Sequence, residues 1–258
     1  MVRGRKTAGE GVLDDDHTVI GRVFSILDAV TALGDRATLG ALTRSTAIPK
    51  PTVRRIAGQL VERGVLDRSG NVYRLGSRLL EFGALAGEQR GYRPATAYLQ
   101  DLHARSGEIA FLMVSTETTN AIVDSVFGAN RLADVRRPWP SLIRDPVFLA
   151  SASGRIVLAD RPALVDDLRG RSLGRATTRT VTHWRAMEAV LATIRDTGIA
   201  VEHEEATLGF SCVAAAVRDS SGRVVAAVGV TGRTPTLRPQ LLSRPLLAAA
   251  DAIGRTMV

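Results

Sequence analysis

The fold is decided by residues 39–78, which read LGALTRSTAIPKPTVRRIAGQLVERGVLDRSGNVYRLGSR. Apolar side chains recur within this stretch at the spacing of one buried helical face. They are Val53, Ile56, Ala57, Leu60 and Val61. Pro51 stands where the first turn of a helix accepts a proline, and Gly64 stands where a left-handed residue ends one. The pattern predicts an amphipathic helix between these two residues.

The opposite face of this predicted helix is basic and polar. At about 100° per residue, Pro51, Thr52, Arg55 and Gln59 point away from the buried stripe. Upstream, a shorter helix begins near Thr38, and the segment Ala47-Ile48-Pro49 supplies the turn between the two helices. A short helix, a tight turn and a basic helix form the helix-turn-helix pattern of DNA-binding proteins.

Two strand-like runs follow the helix pair, at residues 65–68 and 72–75, and the turn-forming trio Ser69-Gly70-Asn71 separates them. Such a pair predicts a β-hairpin. We interpret the hairpin as a wing, so that residues 16–76 form a winged helix-turn-helix domain, and residues 1–15 form a flexible tail.

Charge is concentrated in the same region. Residues 36–78 hold nine basic and two acidic side chains, which accounts for nearly all of the formal net charge of +8. A local basic excess is what phosphate neutralisation requires, although an Arg-rich, merely solvated helix pair would share it. We expect Arg55, Thr52 and Gln59 to read bases and other side chains to hold the backbone. The remaining candidate DNA-binding residues are Thr38, Lys50, Pro51, Arg54, Arg68 and Arg74.

The composition limits the class of protein. A chain of 258 residues with 45% hydrophobic and 23% charged residues suggests one or two globular domains. The sequence lacks a window of 18 uncharged apolar residues, so no membrane partner and a cytoplasmic location are expected. The one cysteine, Cys212, excludes an intramolecular disulfide framework.

The rest of the chain predicts a second domain. Over residues 16–33, which precede the helix-turn-helix, an apolar stripe with helical spacing predicts a helix; it consists of Ile20, Val23, Phe24, Leu27 and Val30. Residues 77–92 are typical of a linker helix. In residues 93–258, β-type runs alternate with helical ones, which indicates an α/β or α+β sensor-type domain. Thr182 is expected to cap a helix that Gly198 ends.

The chain resembles the IclR family of bacterial transcriptional regulators across nearly its whole length. The order and spacing of several stretches carry the resemblance: residues 48–66, residues 71–83, ASASGRIVLA at 150–159, and residues 197–232. The resemblance implies an α+β protein with a winged helix-turn-helix, a linker helix and a C-terminal GAF-like effector domain. It also implies a dimer or tetramer without catalytic activity.

The resemblance further implies a ligand pocket in the second domain. The matching positions are Ala152, Ser153, Gly154, Glu202, Cys212, Gly229 and Thr231. This chain departs from the family pattern at Phe148, Arg155 and Gly229, which bear on the chemistry of the ligand. Two interpretations of the small residues at 150–154 remain open: a helix start that presents N–H groups to a carboxylate, or close packing of a helix on a sheet.

A metal site is one alternative for the acidic cluster near Glu202. However, His203 lies between Glu202 and Glu204 on an apparent strand, whose alternation sends neighbours to opposite faces. Without ligand pairs at metal spacing, no metal and no cofactor are expected. Ser151 and Ser153 lie outside a G-x-S-x-G elbow, so hydrolysis has no supporting pattern.

The preferred interpretation is a repressor whose operator affinity is modulated by a small metabolite in the second domain. The expected metabolite is a hydroxylated, amide-bearing or aromatic acid. The expected partners are an operator duplex, this effector and further copies of the chain, paired through linker-helix residues such as Leu80 and Leu85. The alternative is a ligand-binding module or enzyme that uses the basic helix-turn-helix for protein contacts.

Overall fold

A computed structural model describes residues 18–89, 95–135 and 142–257, so the predicted tail at residues 1–15 lies outside the described residues. The chain divides into two compact units, residues 1–87 and residues 88–258. Among the described residues, no helix is both long enough and apolar enough to cross a membrane.

The described residues of the first unit form four helices and a two-stranded antiparallel sheet. A 3-10 turn, Gly34–Arg36, follows its first helix. In chain order the elements are α1 (Val19–Leu33), α2 (Leu39–Thr46), α3 (Lys50–Glu62), β1 (Leu66–Ser69), β2 (Val72–Leu75) and α4 (Arg78–Gln89), the last of which extends into the second unit.

The predicted ends of α3 are confirmed. Pro51 lies in its first turn, and Gly64 adopts the left-handed conformation with φ 69° just after its end. The Gly64 N–H donates to the Val61 carbonyl at 2.9 Å, and the Val65 N–H donates to the Leu60 carbonyl at 2.9 Å. These two bonds form a Schellman motif, which satisfies carbonyls that a helix end would otherwise leave unpaired.

The predicted turn and wing are also present. Thr38 caps α2 by accepting the Ala41 N–H at 3.3 Å, and Ala47, with φ 55°, turns the chain toward α3. In the wing, Ser69 pairs with Val72, so Gly70 and the residue after it form a two-residue loop. Together these features place the basic helix after a short helix and before a hairpin, as the sequence predicted.

The predicted apolar stripe of α1 is confirmed only in part: Val30 lies in the core and Val23 and Leu27 pack against it. Ile20 and Phe24 belong to the predicted apolar stripe, but they are 71% and 61% exposed. The buried side chains are Ile26, Ala29 and Val30, which join the core of α2, α3 and the wing. Two apolar stripes overlap on this helix, and periodicity alone does not say which of them the core covers.

The second unit contains a five-stranded antiparallel sheet in the order β4-β3-β7-β6-β5. Its strands are β3 (Ile109–Ser115), β4 (Asn120–Val126), β5 (Ile199–His203), β6 (Phe210–Arg218) and β7 (Val224–Arg233). Its helices are α5 (Thr96–Ser106), α6 (Leu132–Val135, after the 3-10 turn Ala129–Arg131), α7 (Pro146–Ala150), α8 (Ala152–Asp160), α9 (Pro162–Arg169), α10 (Trp184–Thr197) and α11 (Pro239–Gly254).

Each face of this sheet covers its own hydrophobic core. Helices α5 and α11 pack on one face, and α7 to α10 pack on the other. Because side chains alternate along a strand, Phe111 faces the α8 side, whereas its neighbours Ala110 and Leu112 face the α11 side. The mixed helix and strand content confirms the predicted fold class.

The start of α10 corrects one prediction. Thr182 was expected as its N-cap, but the helix begins at Trp184 after His183, and no side-chain cap bond is present at that residue. The predicted end is confirmed, since Gly198 adopts φ 70°. The start of a helix is predicted from a residue whose side chain could form one capping hydrogen bond, and several nearby residues can meet that condition. The end is predicted more securely, because a glycine in the left-handed conformation stops the helix at one position.

Candidate DNA-binding surface and ligand cavity

The outer face of α3 carries the predicted base-reading and phosphate-holding side chains. Thr52 is half-buried, whereas the other five candidates are exposed. These five are Lys50, Pro51, Arg54, Arg55 and Gln59. The helix therefore presents a basic and polar surface on the side opposite its core residues.

The wing candidates have partners within their own unit. Arg74 pairs with Asp35 at 2.9 Å, although both side chains remain largely exposed. The Arg68 Nε donates to the Gly70 carbonyl at 2.9 Å, and its guanidinium lies 5.6 Å from the centre of the Tyr73 ring. The structure thus holds Arg68 at the tip of the hairpin, while Asp35 offsets part of the charge of Arg74.

The second unit contains a cavity of about 500 Å³ on the α8 side of its sheet. Three predicted effector residues line it: Glu202, Cys212 and Thr231. They come from β5, β6 and β7, and the strand register pairs Cys212 with both of the others. The further lining residues are Ile109, Phe111, Asn120, Ala121, Ile122, Ser125, Val135, Val147, Ser151, Ala206, Thr207 and Phe210.

The other four predicted effector residues lie outside this lining. Ala152, Ser153 and Gly154 are buried at the start of α8. A Cβ on Gly154 would lie 1.8 Å from the Phe148 carbonyl oxygen, so this glycine allows α7 and α8 to approach closely. At Gly229, a Cβ would lie 2.6 Å from Cζ of Phe111. This glycine leaves room for the aromatic ring.

The Glu202 side chain is buried, and one of its two carboxylate oxygens accepts hydrogen bonds from the backbone. Its Oε2 accepts the backbone N–H of Glu205 at 2.8 Å and that of Ala206 at 3.4 Å. Burial raises the pKa of Glu202 to about 7, although these two N–H groups and the Arg155 charge act in the opposite direction. Burial and the Glu202 charge together raise the pKa of the Cys212 thiol well above its usual value. Cys212 is therefore a neutral wall of the cavity rather than a nucleophile.

Arg155, one of the departures from the family pattern, is a structural residue. Its side chain is 1% exposed and forms a two-pronged ion pair with Glu205, in which Nη1 lies 2.9 Å from Oε1. The same carboxylate accepts the Val181 N–H at 3.2 Å. The pair holds the loop after β5 against α8, and this loop supplies Ala206 and Thr207 to the cavity.

Two hydroxyl groups of the cavity wall already donate their hydrogens to backbone carbonyls. Ser151 donates to Phe148 at 2.7 Å and accepts the Gly154 N–H at 3.0 Å. Thr231 donates to the Ser211 carbonyl at 3.2 Å. Toward a ligand, both hydroxyl oxygens are therefore acceptors.

The sequence did not single out Phe111, Phe210 or Ser151 as cavity residues. For Phe111 a signal existed in the strand alternation, but its place over Gly229 depends on the register between two strands far apart in sequence. Ser151 directly precedes the predicted effector residues 152–154, and it lines the cavity whereas those three residues do not. Within the described ranges, no cluster of three His, Cys, Asp or Glu side chains could hold a metal ion.

Comparison with known proteins agrees with this architecture. A family model described as the IclR helix-turn-helix domain matches residues 19–70, and one described as bacterial transcriptional regulator IclR C-terminal matches residues 92–255. The transcriptional regulator KdgR of Escherichia coli is 27% identical, over 88% of this chain and 86% of KdgR. The glycerol operon regulatory protein of Streptomyces griseus is 30% identical, over 79% of this chain and 80% of that protein.

A solved structure shows the same fold over almost the full length. It is the crystal structure of an IclR homolog from Microbacterium hydrocarbonoxydans complexed with 4-hydroxybenzoate. The two chains are 24% identical with a TM-score of 0.74, and the match covers 93% of this chain and 98% of that one. With one family model on each unit and regulators among its relatives, the chain belongs to the IclR family of bacterial DNA-binding transcriptional regulators.

Proposed function

We propose that this regulator is a repressor that binds an operator through α3 and the wing, and that a small metabolite in the cavity changes its operator affinity. The exposed basic face of α3 carries the proposal, because it presents Lys50, Arg54 and Arg55 from a helix-turn-helix. Repression needs only occupancy of the DNA, whereas activation also needs a surface that contacts the polymerase. As a protein that acts on bacterial chromosomal DNA, it would work in the cytoplasm.

The effector role rests on the cavity. Its volume of about 500 Å³ suits a small metabolite, and apolar residues with a few polar groups line it. The 4-hydroxybenzoate complex of the solved relative supports the same role here. We infer no catalytic activity, because the Ser151 hydroxyl donates to a backbone carbonyl and the pKa of the Cys212 thiol is raised.

Genomic footprinting with the purified protein, followed by titration of the recovered duplex against salt, tests DNA binding. We expect log affinity to fall linearly with log salt concentration. A salt-independent association, or failure to recover any protected duplex, would favour the alternative in which the basic helix contacts a protein.

Lys50→Ala is expected to weaken binding to operator and random duplex alike and to flatten the salt slope by about 0.9, because one phosphate contact is lost. The matched control is Arg185→Ala, which removes one exposed positive charge from α10 in the second unit. Equal slopes for Lys50→Ala and the wild type, measured by fluorescence anisotropy, would remove Lys50 from the interface.

The chain offers an apolar surface for pairing with a second copy. None of the described α4 side chains is buried, and Leu80, Phe82 and Leu85 are 77%, 49% and 53% exposed. Ile20 and Phe24 of α1 are likewise exposed. We infer that α4 pairs two copies, which then read a palindromic operator as a dimer or within a tetramer.

Leu80→Glu is expected to shift the sedimentation profile toward monomer and to weaken operator binding, because a charge would enter the apolar interface. Leu241→Glu is the matched control, since Leu241 of α11 is 75% exposed. Dissociation by Leu241→Glu instead of Leu80→Glu would move the interface to the second unit. A wild-type monomer at micromolar concentration would contradict pairing altogether.

A further inference from the structure

We propose that the cavity selects a ligand with a flat apolar body and a hydrogen-bond-donating head, and that this head, rather than a carboxylate, lies against Glu202, Ser151 and Thr231. The inference deepens the proposed function, because it rests on the effector role of the same cavity. It differs from the expectation drawn from the sequence, which placed a carboxylate at the start of α8.

Two hydroxyl groups of the cavity wall, those of Ser151 and Thr231, are acceptors toward a ligand, whereas Asn120, which also lines the cavity, carries an amide that can donate. Ser151 and Thr231 have already given their hydrogens to the carbonyls of Phe148 and Ser211. A ligand group that meets these oxygens must supply the hydrogen itself, since two acceptors facing each other repel. A hydroxyl or an N–H satisfies this requirement, and a carboxylate does not.

Glu202 adds a third acceptor to the cavity wall. Both hydrogen bonds that this carboxylate accepts from described residues, from the N–H groups of Glu205 and Ala206, fall on Oε2. Because Glu202 lines the cavity, Oε1 is the oxygen that a ligand can meet. The charged and titratable groups around it are Arg155 from α8, Glu205 from the following loop and Cys212 from β6. Arg155 pairs with Glu205 through Nη1 and Nη2, and its charge also acts to lower the pKa of Glu202.

The walls favour a flat apolar body. The ring of Phe111 lies against Gly229, where the Cβ of any other residue would collide with it. The same ring lines the cavity. Phe210, Ile109 and Val147 extend this apolar surface. Aromatic faces and aliphatic walls in contact with a planar ring bury apolar area without leaving polar groups unpaired.

The test compares two probes with the same body and opposite heads, phenol and benzoate, by calorimetric titration of the full chain between about pH 6 and pH 8. Phenol donates to ionised Glu202, so its binding lowers the pKa of this carboxyl from about 7 and releases a proton. The affinity for phenol should therefore rise by up to about tenfold across this interval and then level off. Benzoate, an acceptor, should bind only with proton uptake and lose affinity as the pH rises.

Variants assign the effect to the cavity. Glu202→Gln should abolish the pH dependence of phenol binding, whereas Glu204→Gln, which alters a half-buried carboxyl of the same loop, should leave it unchanged. Gly229→Ser should displace the Phe111 ring and weaken phenol binding at every pH. Thermal unfolding of each variant shows whether it is folded. If a variant is not folded, the pH dependence of phenol and benzoate binding to the wild type still tests the proposal.

Tighter binding of benzoate than of phenol at about pH 8 would overturn the proposal, and so would failure of both probes to bind. Duplex binding is measured separately without any ligand. Loss of duplex binding would refute the proposed regulatory function, whereas a reversed probe preference with normal duplex binding would refute only the ligand class.

Discussion

Gly154→Ala should unfold the second unit at a markedly lower urea concentration than the wild type, with a loss of at least about 3 kcal/mol in the free energy of unfolding. The added Cβ would lie 1.8 Å from the Phe148 carbonyl oxygen, and the obstacle is backbone rather than a flexible side chain. Helix α8 would have to move away from α7. Its burial along Ala152 to Ala159 leaves little room for that movement.

The measurement is urea unfolding followed by tryptophan fluorescence. Trp184 begins α10 in the second unit, and its fluorescence follows the unfolding of that unit. Gly170→Ala is the control, because a Cβ on Gly170 would meet nothing within 4 Å and its φ is negative. Unchanged stability in Gly154→Ala would mean that α8 can move away from α7 without a cost, which would contradict the packing role of this glycine.

Arg55→Ala should weaken operator binding by about 1–3 kcal/mol and relax the preference for bases at its contact position. Arg55 is exposed on the outer face of α3, opposite the buried Val53 and Ile56. An arginine that donates two hydrogen bonds to a base discriminates that base, whereas an arginine on a phosphate does not.

Arg54→Ala is the matched control for this variant, because Arg54 is adjacent to Arg55 and both side chains are exposed. It should weaken all duplexes alike and keep the base preference. Affinity selection from a randomised operator library separates the two effects. If Arg55→Ala kept wild-type preference and affinity at physiological salt, a different face of α3 would enter the groove.

The first unit was largely predictable because its signals are local. Pro51, Gly64 and Gly70-Asn71 mark where elements begin, end or turn, because their backbone preferences act over only a few residues. Ser69, predicted as part of the turn, belongs to β1 instead. The exposed stripe of α1 was not predictable, because residues such as Phe24 are apolar yet lie outside the core of their own unit. Periodicity detects a helix but does not identify what covers it.

The cavity was predictable only in part. Glu202, Cys212 and Thr231 are paired across three strands, and the resemblance to a family supplied those positions. The ion pair between Arg155 and Glu205 joins residues 50 positions apart, and the contact of Phe111 with Gly229 joins residues of two strands. Such contacts depend on strand register and helix packing, which no local pattern encodes.

The close packing of α8 has a consequence for how this protein could change during evolution or in the laboratory. A helix that is buried along almost its whole length admits few substitutions, so the scaffold side of the cavity is nearly fixed. The strand side of the cavity, where the Phe111 ring lies against Gly229, is built from side chains; a residue larger than glycine at position 229 would need a smaller residue at 111 and would still lie 3.1 Å from the Val213 carbonyl oxygen. If the proposed effector role holds, we expect paired substitutions at positions 111 and 229 to change which ligands the cavity accepts, whereas substitutions within α8 change mainly the stability of the fold.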